Sequence, residues 1–244
     1  MGKARSSRQD PYSLHRLALA PLLSDAPANA LKTSCEQAAA SGEVNFINFL
    51  LQQGLAPSWD EQIARFDGSL HFSQEAIGRL QQSRLISRGE YLVQRHSLER
   101  ATEILNTAGI PHVVTKGCHT RELYYDTPAL RPAVDIDILV APEHKIDAIR
   151  AFQAKDFTFH GVAQNISHEC SLMKGKTSID LHWDILRPGR SRIPMVNTLL
   201  AERVDYDRHW GMSHGATLFM MLVHPVFTKY STTSHASLVR LMDL

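Results

Sequence analysis

The sequence predicts an α+β fold, in which a helical first part precedes a region of short strands and helices. Before about residue 110, apolar residues recur three and four positions apart, as in Phe46, Phe49 and Leu50, which is the spacing of an amphipathic helix. After residue 110 the pattern changes to short alternating runs separated by helical stretches, and near the end of the chain the helical spacing returns. We therefore expect a helical region, an α+β core and closing helices, at 1–109, 110–193 and 194–244.

The expected elements follow from these patterns in chain order. The clearest early helix covers about 90–106, where one apolar stripe is followed by Gly109 as a stop signal. Three strands are predicted by β-rich or alternating runs, at 112–115, 134–140 and 178–183. Further helices are predicted by their spacing, at 120–125, 143–154, 195–204 and 214–226.

The composition is that of an ordinary globular protein. The 244 residues carry a formal net charge of +1, with 43% hydrophobic and 21% charged residues. A strongly basic nucleic-acid clamp is therefore excluded, and we expect no extensive binding to duplex DNA. The three cysteines have no C-x-x-C spacing, which favours free thiols. No apolar run approaches the ~18 residues of a membrane span and no signal peptide is apparent, so we expect a cytoplasmic protein without a membrane partner.

Two aspartates separated by one apolar residue mark the second predicted strand. Side chains alternate along a strand, so Asp135 and Asp137 project from one face while Val134, Ile136 and Ile138 project from the other. Two like charges on one face repel each other and favour a cation between them. Magnesium is the natural candidate, because it prefers oxygen ligands and is often held by one or two carboxylates together with substrate phosphates.

The third predicted strand alternates in the same way. Asp180 and His182 share a polar face with Ser178 and Asp184, and apolar residues occupy the opposite face. If this strand lies beside the second one, Asp180 completes a triad of carboxylates suited to two-metal phosphoryl transfer. A solvent-facing edge strand would give the same alternation, so the pattern leaves both arrangements open.

A turn between the first strand and the next helix carries Lys116, Gly117, Cys118 and His119. Glycine at such a turn allows backbone N–H groups to approach an anion, and the following helix N-terminus favours phosphate. Lys116 would add a point charge for a triphosphate. The same residues are also common in ordinary turns.

Taken in order, five motifs resemble those of a known family. They are Lys116-Gly117, Leu123-Tyr124, Arg131-Pro132 and the segments 135–140 and 179–183. This series resembles the uncharacterised nucleotidyltransferase family of the DNA polymerase β-like superfamily, over about 110–184. The resemblance implies a polymerase-β-like nucleotidyltransferase core, a small mixed sheet with helices, flanked by N- and C-terminal helices.

The resemblance also implies an activity and the residues that carry it. Asp135 and Asp137 look like the pair that ligates Mg²⁺ or Mn²⁺, and Asp180 looks like the third metal-binding carboxylate, which would activate an acceptor hydroxyl. The expected reaction transfers a nucleoside monophosphate from an NTP, such as ATP, and releases pyrophosphate. The acceptor stays open among a small molecule, a peptide, a protein and an RNA end. His182 and His168 are candidates for substrate contact.

The nucleotide-binding residues implied by the resemblance are Lys116, Gly117, Cys118 and Arg131. Arg131 would steady phosphate or pair with a carboxylate of the site. Better-characterised members of the superfamily have Gly-Ser at this turn, so Cys118 removes a hydroxyl contact. We also expect further helices after Leu244, where this chain ends. Both departures support an alternative interpretation, a non-catalytic nucleotide-binding or regulatory protein that retains the fold.

A zinc site is the other chemistry that the histidines suggest. The segment His168-Glu169-Cys170, together with His182, offers nitrogen, oxygen and sulfur ligands. However, structural zinc sites usually show ligand pairs with two to five residues between the partners, and the sulfur pairs are missing. The sequence therefore disfavours zinc.

Overall fold

The computed structural model describes residues 12–66, 71–160, 168–186, 192–227 and 237–244. The helices are α1 Ser13–Leu23, α2 Pro27–Gln52, α3 Ala56–Phe66, α4 Gln74–Thr107, α5 Lys116–Tyr124, α6 Lys145–Gln153, α7 Val196–Ala201, α8 His214–Phe227 and α9 Ser237–Leu241. The strands are β1 His112–Thr115, β2 Ile136–Val140, β3 Thr158–His160, β4 Glu169–Lys174, β5 Thr177–His182, β6 Val204–Asp205 and β7 Trp210–Gly211.

The chain divides into two compact units. One comprises Met1–Ile86 with His235–Met242, and the other comprises Ser87–Ser234 with Asp243–Leu244. These units are defined by packing, whereas the regions 1–109, 110–193 and 194–244 were defined by sequence pattern. The three regions therefore stay a prediction.

The first unit is helical and packs around Trp59. This side chain is fully buried, and its indole Nε1–H donates to the carbonyl of Ala18 at 2.8 Å. Phe46 meets its ring edge-on with centroids 5.0 Å apart, which is a favourable aromatic geometry. Helix α9 joins the same core through the Val239 amide, which donates to the carbonyl of Gln53 at 3.2 Å. The apolar spacing before residue 110 therefore builds a helical core in this unit.

The second unit is built on a mixed sheet. Its described strands lie in the order β3-β4-β5-β2-β1-β7-β6. Strands β2 and β5 pair in parallel, and β2 pairs with β1 antiparallel. The parallel register places Asp137 opposite Asp180. Two strands that are 37 or more residues apart in sequence thus become neighbours at the centre of the sheet.

The two faces of this sheet have different surroundings. Ile136, Ile138, Ile179 and Leu181 are buried on one face, in a core that includes residues of α4 and α6. Val113 and Leu139 belong to a second core on the opposite face, with residues of α7 and α8. Because side chains alternate along a strand, the aspartates of β2 and β5 share the second face with Leu139. The apolar cores on both faces hold this central pair of strands in a fixed register.

The α+β prediction is confirmed, and the structure refines its elements. The predicted strands at 112–115, 134–140 and 178–183 correspond to β1, β2 and β5, with β2 beginning only at Ile136. Strands β3, β4, β6 and β7 were not predicted; β6 and β7 have two residues each, too few for a visible alternation. Within the described ranges, no helix has the length and apolar character that crossing a membrane requires.

Candidate active site

A row of polar residues crosses four neighbouring strands on one face of the sheet. In the β1–β2 register Thr115 lies opposite Asp137, which in turn lies opposite Asp180 of β5. Ser171 of β4 continues the row beside Asp180. This register answers the question that the alternation left open, since it puts Asp180 next to the Asp137 strand and not on a distant edge.

The structure brings the three predicted carboxylates together. Asp135 directly precedes β2, and one carboxylate oxygen from each of Asp135, Asp137 and Asp180 lies within 4.8 Å of the others. Burial, together with the charges of Asp137 and Asp180, raises the pKa of Asp135 to about 6. Oxygen donors gathered at this spacing, with mutual repulsion that a cation would relieve, fit a divalent magnesium or manganese ion. Their roles as ligands stay a prediction.

Asp137 is held by two side-chain partners on one carboxylate oxygen. The Lys116 ammonium donates to its Oδ1 at 2.6 Å, and the His182 ring Nε2 lies 2.9 Å from the same oxygen. Burial alone would raise the pKa of Asp137, but Lys116 and His182 outweigh burial and hold that pKa well below its usual range. Asp137 is therefore ionised throughout the physiological pH range, in the form that binds a cation.

Lys116 reaches Asp137 from an unusual backbone conformation. Its φ is +53°, in the left-handed region that non-glycine residues seldom adopt. Strain of this kind costs of order 1–3 kcal/mol and persists where the surroundings enforce it. Here it bends the chain between β1 and α5, and it turns the lysine ammonium towards the carboxylates.

Asp180 is fixed by its neighbour in the row. The Ser171 hydroxyl donates to Asp180 Oδ1 at 2.8 Å. Both residues lie within regular strands, so the hydrogen bond sets the orientation of the carboxylate on a rigid support.

A second row, one step further along the same face, contains the predicted residue His182. His182 lies opposite Glu169 of β4 in the strand register. Its Nδ1 is 3.2 Å from Glu169 Oε2, while its Nε2 faces Asp137. His168 lies beside it, with ring centroids 5.7 Å apart. The structure thus places His182 against Asp137 and His168 beside His182, and their contact with substrate stays a prediction.

The remaining predicted nucleotide-binding residues do not join the carboxylates. Cys118 is buried and its thiol donates to the Asp135 carbonyl at 3.1 Å. Burial raises the pKa of this thiol to about 12, so it stays neutral. Arg131 is buried in an ion pair with Asp243, and a Cβ on Gly117 would overlap its guanidinium. Gly117 is thus required by the close approach of Arg131, and the nucleotide-binding roles of Lys116, Gly117, Cys118 and Arg131 stay predictions.

A pocket opens next to these side chains. Its walls come from β1, β2, the end of β5 and α8, and comprise Thr115, Lys116, Leu139, His182, Asp184, Ile185 and Met220. His224 of α8 is buried near the site, and burial followed by the charge of Lys116 lowers its pKa to about 3. The lining thus combines apolar side chains with a few polar and charged ones, as is typical of small-molecule sites.

Three residues near the carboxylates were not among the predicted site residues of the transfer reaction. Ser171 and Glu169 lie in β4, which was not predicted, and His224 lies on α8. The available signal was an alternation along 169–173, in which Cys170 and Leu172 are apolar. This alternation indicates a strand but does not indicate which strand it pairs with.

The repulsion at Asp135 has a consequence for stability. A pKa of about 6, above the ordinary 3.8, means that the folded chain holds this proton more tightly than the unfolded chain does. The resulting stability is fully present below about pH 4 and is lost as the pH rises through 6. We therefore expect Asp135→Asn to raise the Tm of the metal-free protein by roughly 3–8 °C above pH 6, a gain that disappears towards pH 4.

Thermal unfolding between pH 4 and pH 8, in the presence of a chelator, measures this gain. Asp147→Asn on α6 is the matched control, because its side chain is 64% exposed and its partner Arg150 lies 3.8 Å away. The assignment of repulsion to Asp135 would be contradicted if Asp135→Asn raised the Tm equally at pH 8 and pH 4. It would also be contradicted if Asp147→Asn raised the Tm as much as Asp135→Asn does.

The comparison with protein families agrees with this geometry. The model of a family described as uncharacterised nucleotidyltransferase matches residues 40–244, most of the chain. No curated protein and no solved structure matches the chain. The chain belongs to the uncharacterised nucleotidyltransferase family.

Proposed function

From this family membership and from the three neighbouring carboxylates, we propose that the protein is a metal-dependent nucleotidyltransferase. It transfers a nucleoside monophosphate from an NTP to a hydroxyl acceptor and releases pyrophosphate. The observation that carries the proposal is the placement of Asp135, Asp137 and Asp180, from two strands, within 4.8 Å of one another. Family membership supports transferase chemistry in general, and the carboxylates supply the specific mechanism.

The transfer requires an in-line displacement at the α-phosphorus of the NTP. The acceptor oxygen forms a bond to that phosphorus, the bond to the bridging α–β oxygen breaks, and pyrophosphate leaves. Mg²⁺ or Mn²⁺ held by the three aspartates would neutralise phosphate charge and align the attacking and leaving oxygens. The protein contributes the alignment, because the aspartates are fixed on neighbouring strands.

Asp137, Asp180 and Lys116 have separate parts in this mechanism. Asp137, ionised and buried, provides negative charge for binding the metal. Asp180, held by Ser171, accepts the proton of the acceptor hydroxyl at its carboxylate. Lys116 donates to Asp137 and lies on the pocket wall, where its ammonium is placed to meet a phosphate oxygen.

Thermal unfolding with nucleotides tests the proposal. We expect ATP, GTP, CTP or UTP to raise the Tm by about 5–10 °C in the presence of magnesium, since a ligand at ~100 times its Kd adds roughly 2.7 kcal/mol. The rise should disappear in the Asp135→Asn/Asp137→Asn variant, which has lost two charges from the site.

The matched control removes two charges from the same unit but outside the site. Asp147 and Asp156 have side chains that are 64% and 88% exposed, so Asp147→Asn/Asp156→Asn should respond to nucleotide as the wild type does. A magnesium-dependent rise without any pyrophosphate release would favour the alternative, a nucleotide-binding regulatory protein. No rise with any nucleotide, or an equal rise in the carboxylate variant, would contradict the proposed site.

A further inference from the structure

His168, Glu169 and His182 form a second group of donor atoms beside the carboxylates. One donor atom from each lies within 4.8 Å of the other two. We propose that these three side chains bind a zinc ion at a site separate from the aspartates. The inference does not depend on the proposed transfer reaction, because it rests on different donor atoms and on a different class of metal.

The unsatisfied state of His168 is the strongest evidence. This residue is only 4% exposed, and within the described part of the chain neither of its ring nitrogens has a hydrogen-bond partner. A buried polar group without a partner is costly and rare in native structures. A metal ion would satisfy the buried nitrogen that no described protein group reaches.

The distances between the donor atoms fit zinc. Glu169 Oε2 lies 3.2 Å from His182 Nδ1 and 3.7 Å from His168 Nε2. Two ligand atoms bound at about 2.1 Å in tetrahedral geometry are about 3.4 Å apart. The two observed separations fall on either side of that value, and the longer one exceeds hydrogen-bond distance. Both separations are therefore compatible with donor atoms that bind one zinc ion.

The ring of His182 is oriented for the same site. Its Nε2 is 2.9 Å from Asp137 Oδ1 and 3.2 Å from the Lys116 ammonium, and its Nδ1 is 3.2 Å from Glu169 Oε2. In the tautomer whose N–H is on Nε2 and donates to Asp137, the lone pair on Nδ1 faces Glu169 Oε2 and can bind a cation together with that oxygen. Zinc would thus make His182 a positioning residue for Asp137 as well as a ligand.

The donor types select zinc over magnesium. Two imidazoles and a carboxylate are a known ligand set of zinc sites, whereas magnesium takes oxygen ligands. The sequence analysis considered the segment His168-Glu169-Cys170 with His182 as zinc ligands and disfavoured them. The structure changes the set, because Cys170 points into the apolar core on the opposite face and burial raises its pKa to about 12. His168, Glu169 and His182 remain as the ligand set.

Metal titration of the whole chain tests this site. The protein is stripped with a chelator and titrated with Zn²⁺ against a chromophoric zinc competitor, in excess Mg²⁺ so that the aspartates are saturated. We expect one Zn²⁺ per chain, with affinity reduced at least ~100-fold in Glu169→Gln. The Glu169 side chain is 43% exposed, so this substitution leaves the fold intact. Co²⁺ in place of Zn²⁺ should give the visible absorption of a four-coordinate nitrogen–oxygen site.

A second variant uses stability as the measurement. His168→Leu replaces the unpartnered imidazole by an apolar side chain, so the metal-free variant should unfold at the same temperature as the metal-free wild type or higher. Zn²⁺ should then raise the Tm of the wild type and not that of the variant. His96→Leu is the control, since His96 is an exposed histidine of α4, and its zinc response should equal that of the wild type.

Three results would overturn the inference. The first is equal zinc affinity in the wild type, Glu169→Gln and His168→Leu. The second is loss of zinc in the Asp135→Asn variant, which would place the ion at the aspartates, because this substitution leaves the contact between Asp137 and His182 in place. The third is a cobalt spectrum with a thiolate charge-transfer band, which would make Cys170 the ligand. Failure of the proposed transfer leaves all three measurements unchanged, so the two proposals are tested separately.

Discussion

Replacement of Asp180 by Asn is expected to slow pyrophosphate release about 10²–10⁴-fold while the protein still binds nucleotide with magnesium. The amide has the shape of the carboxylate but does not accept the proton of the acceptor hydroxyl. Asp135 and Asp137 are unchanged in this variant and lie on β2 or directly before it. The effect should therefore appear in turnover and only weakly in the nucleotide-dependent rise in Tm.

Pyrophosphate release can be measured before the acceptor is known, because water is a slow substitute for an acceptor hydroxyl. Ser171→Ala is the first comparison, since it removes the hydroxyl that donates to Asp180 Oδ1 at 2.8 Å and retains the carboxylate. We expect less than a tenfold loss there. Asp156→Asn, an exposed aspartate of the same unit, should match the wild type. Turnover of Asp180→Asn within threefold of wild type would show that another group takes the proton.

The strand faces of the site residues were predictable from the sequence pattern. Alternation along a strand depends only on local geometry, so the shared face of Asp135 and Asp137 and the shared face of Asp180 and His182 were predictable. Fold class followed from the same local patterns. Which strands become neighbours depends on long-range pairing, and here the pairing of Asp137 with Asp180 is set by apolar cores on both faces of the sheet.

Other parts of the site depend on partners that are far away in sequence. Glu169 and Ser171 come to lie opposite His182 and Asp180 only because β4 pairs with β5. Lys116 was predicted to contact phosphate. Its observed contact with Asp137 depends on a positive φ, which no sequence motif predicts for a lysine. Arg131 was predicted to contact phosphate or a carboxylate of the site. Its observed partner, Asp243, is 112 residues away in sequence and had no recognisable signal.

The buried pair of Arg131 and Asp243 leads to the largest expected loss of stability. Arg131 donates through two nitrogens, Nε at 3.1 Å and Nη2 at 2.5 Å, to the two oxygens of Asp243. The Tyr125 hydroxyl also donates to Asp243, at 2.8 Å. The side chains of the pair are only 8% and 4% exposed. Asp243→Ala would leave a buried guanidinium without its counter-charge, so we expect a loss of about 3–5 kcal/mol in the free energy of unfolding.

Urea unfolding followed by circular dichroism measures this loss. The exposed pair of Asp147 and Arg150 is the control, and Asp147→Ala should leave the free energy of unfolding almost unchanged. Arg131→Met/Asp243→Leu removes both charges and fills the space with apolar atoms, so it should recover most of the stability lost in Asp243→Ala. An equal loss in the single and double variants would mean that packing, and not the unpaired charge, causes the effect.

The same double variant decides the role predicted for Arg131. In the folded protein its guanidinium lies against Gly117, next to Lys116. This position is compatible with a structural role and also with phosphate binding. Arg131→Met/Asp243→Leu keeps the unit folded and has no guanidinium. If Arg131 contacts phosphate, this variant should bind nucleotide with magnesium about tenfold more weakly. Wild-type affinity would show that Arg131 supports the turn at Lys116 through Gly117 and that the predicted phosphate contact is wrong.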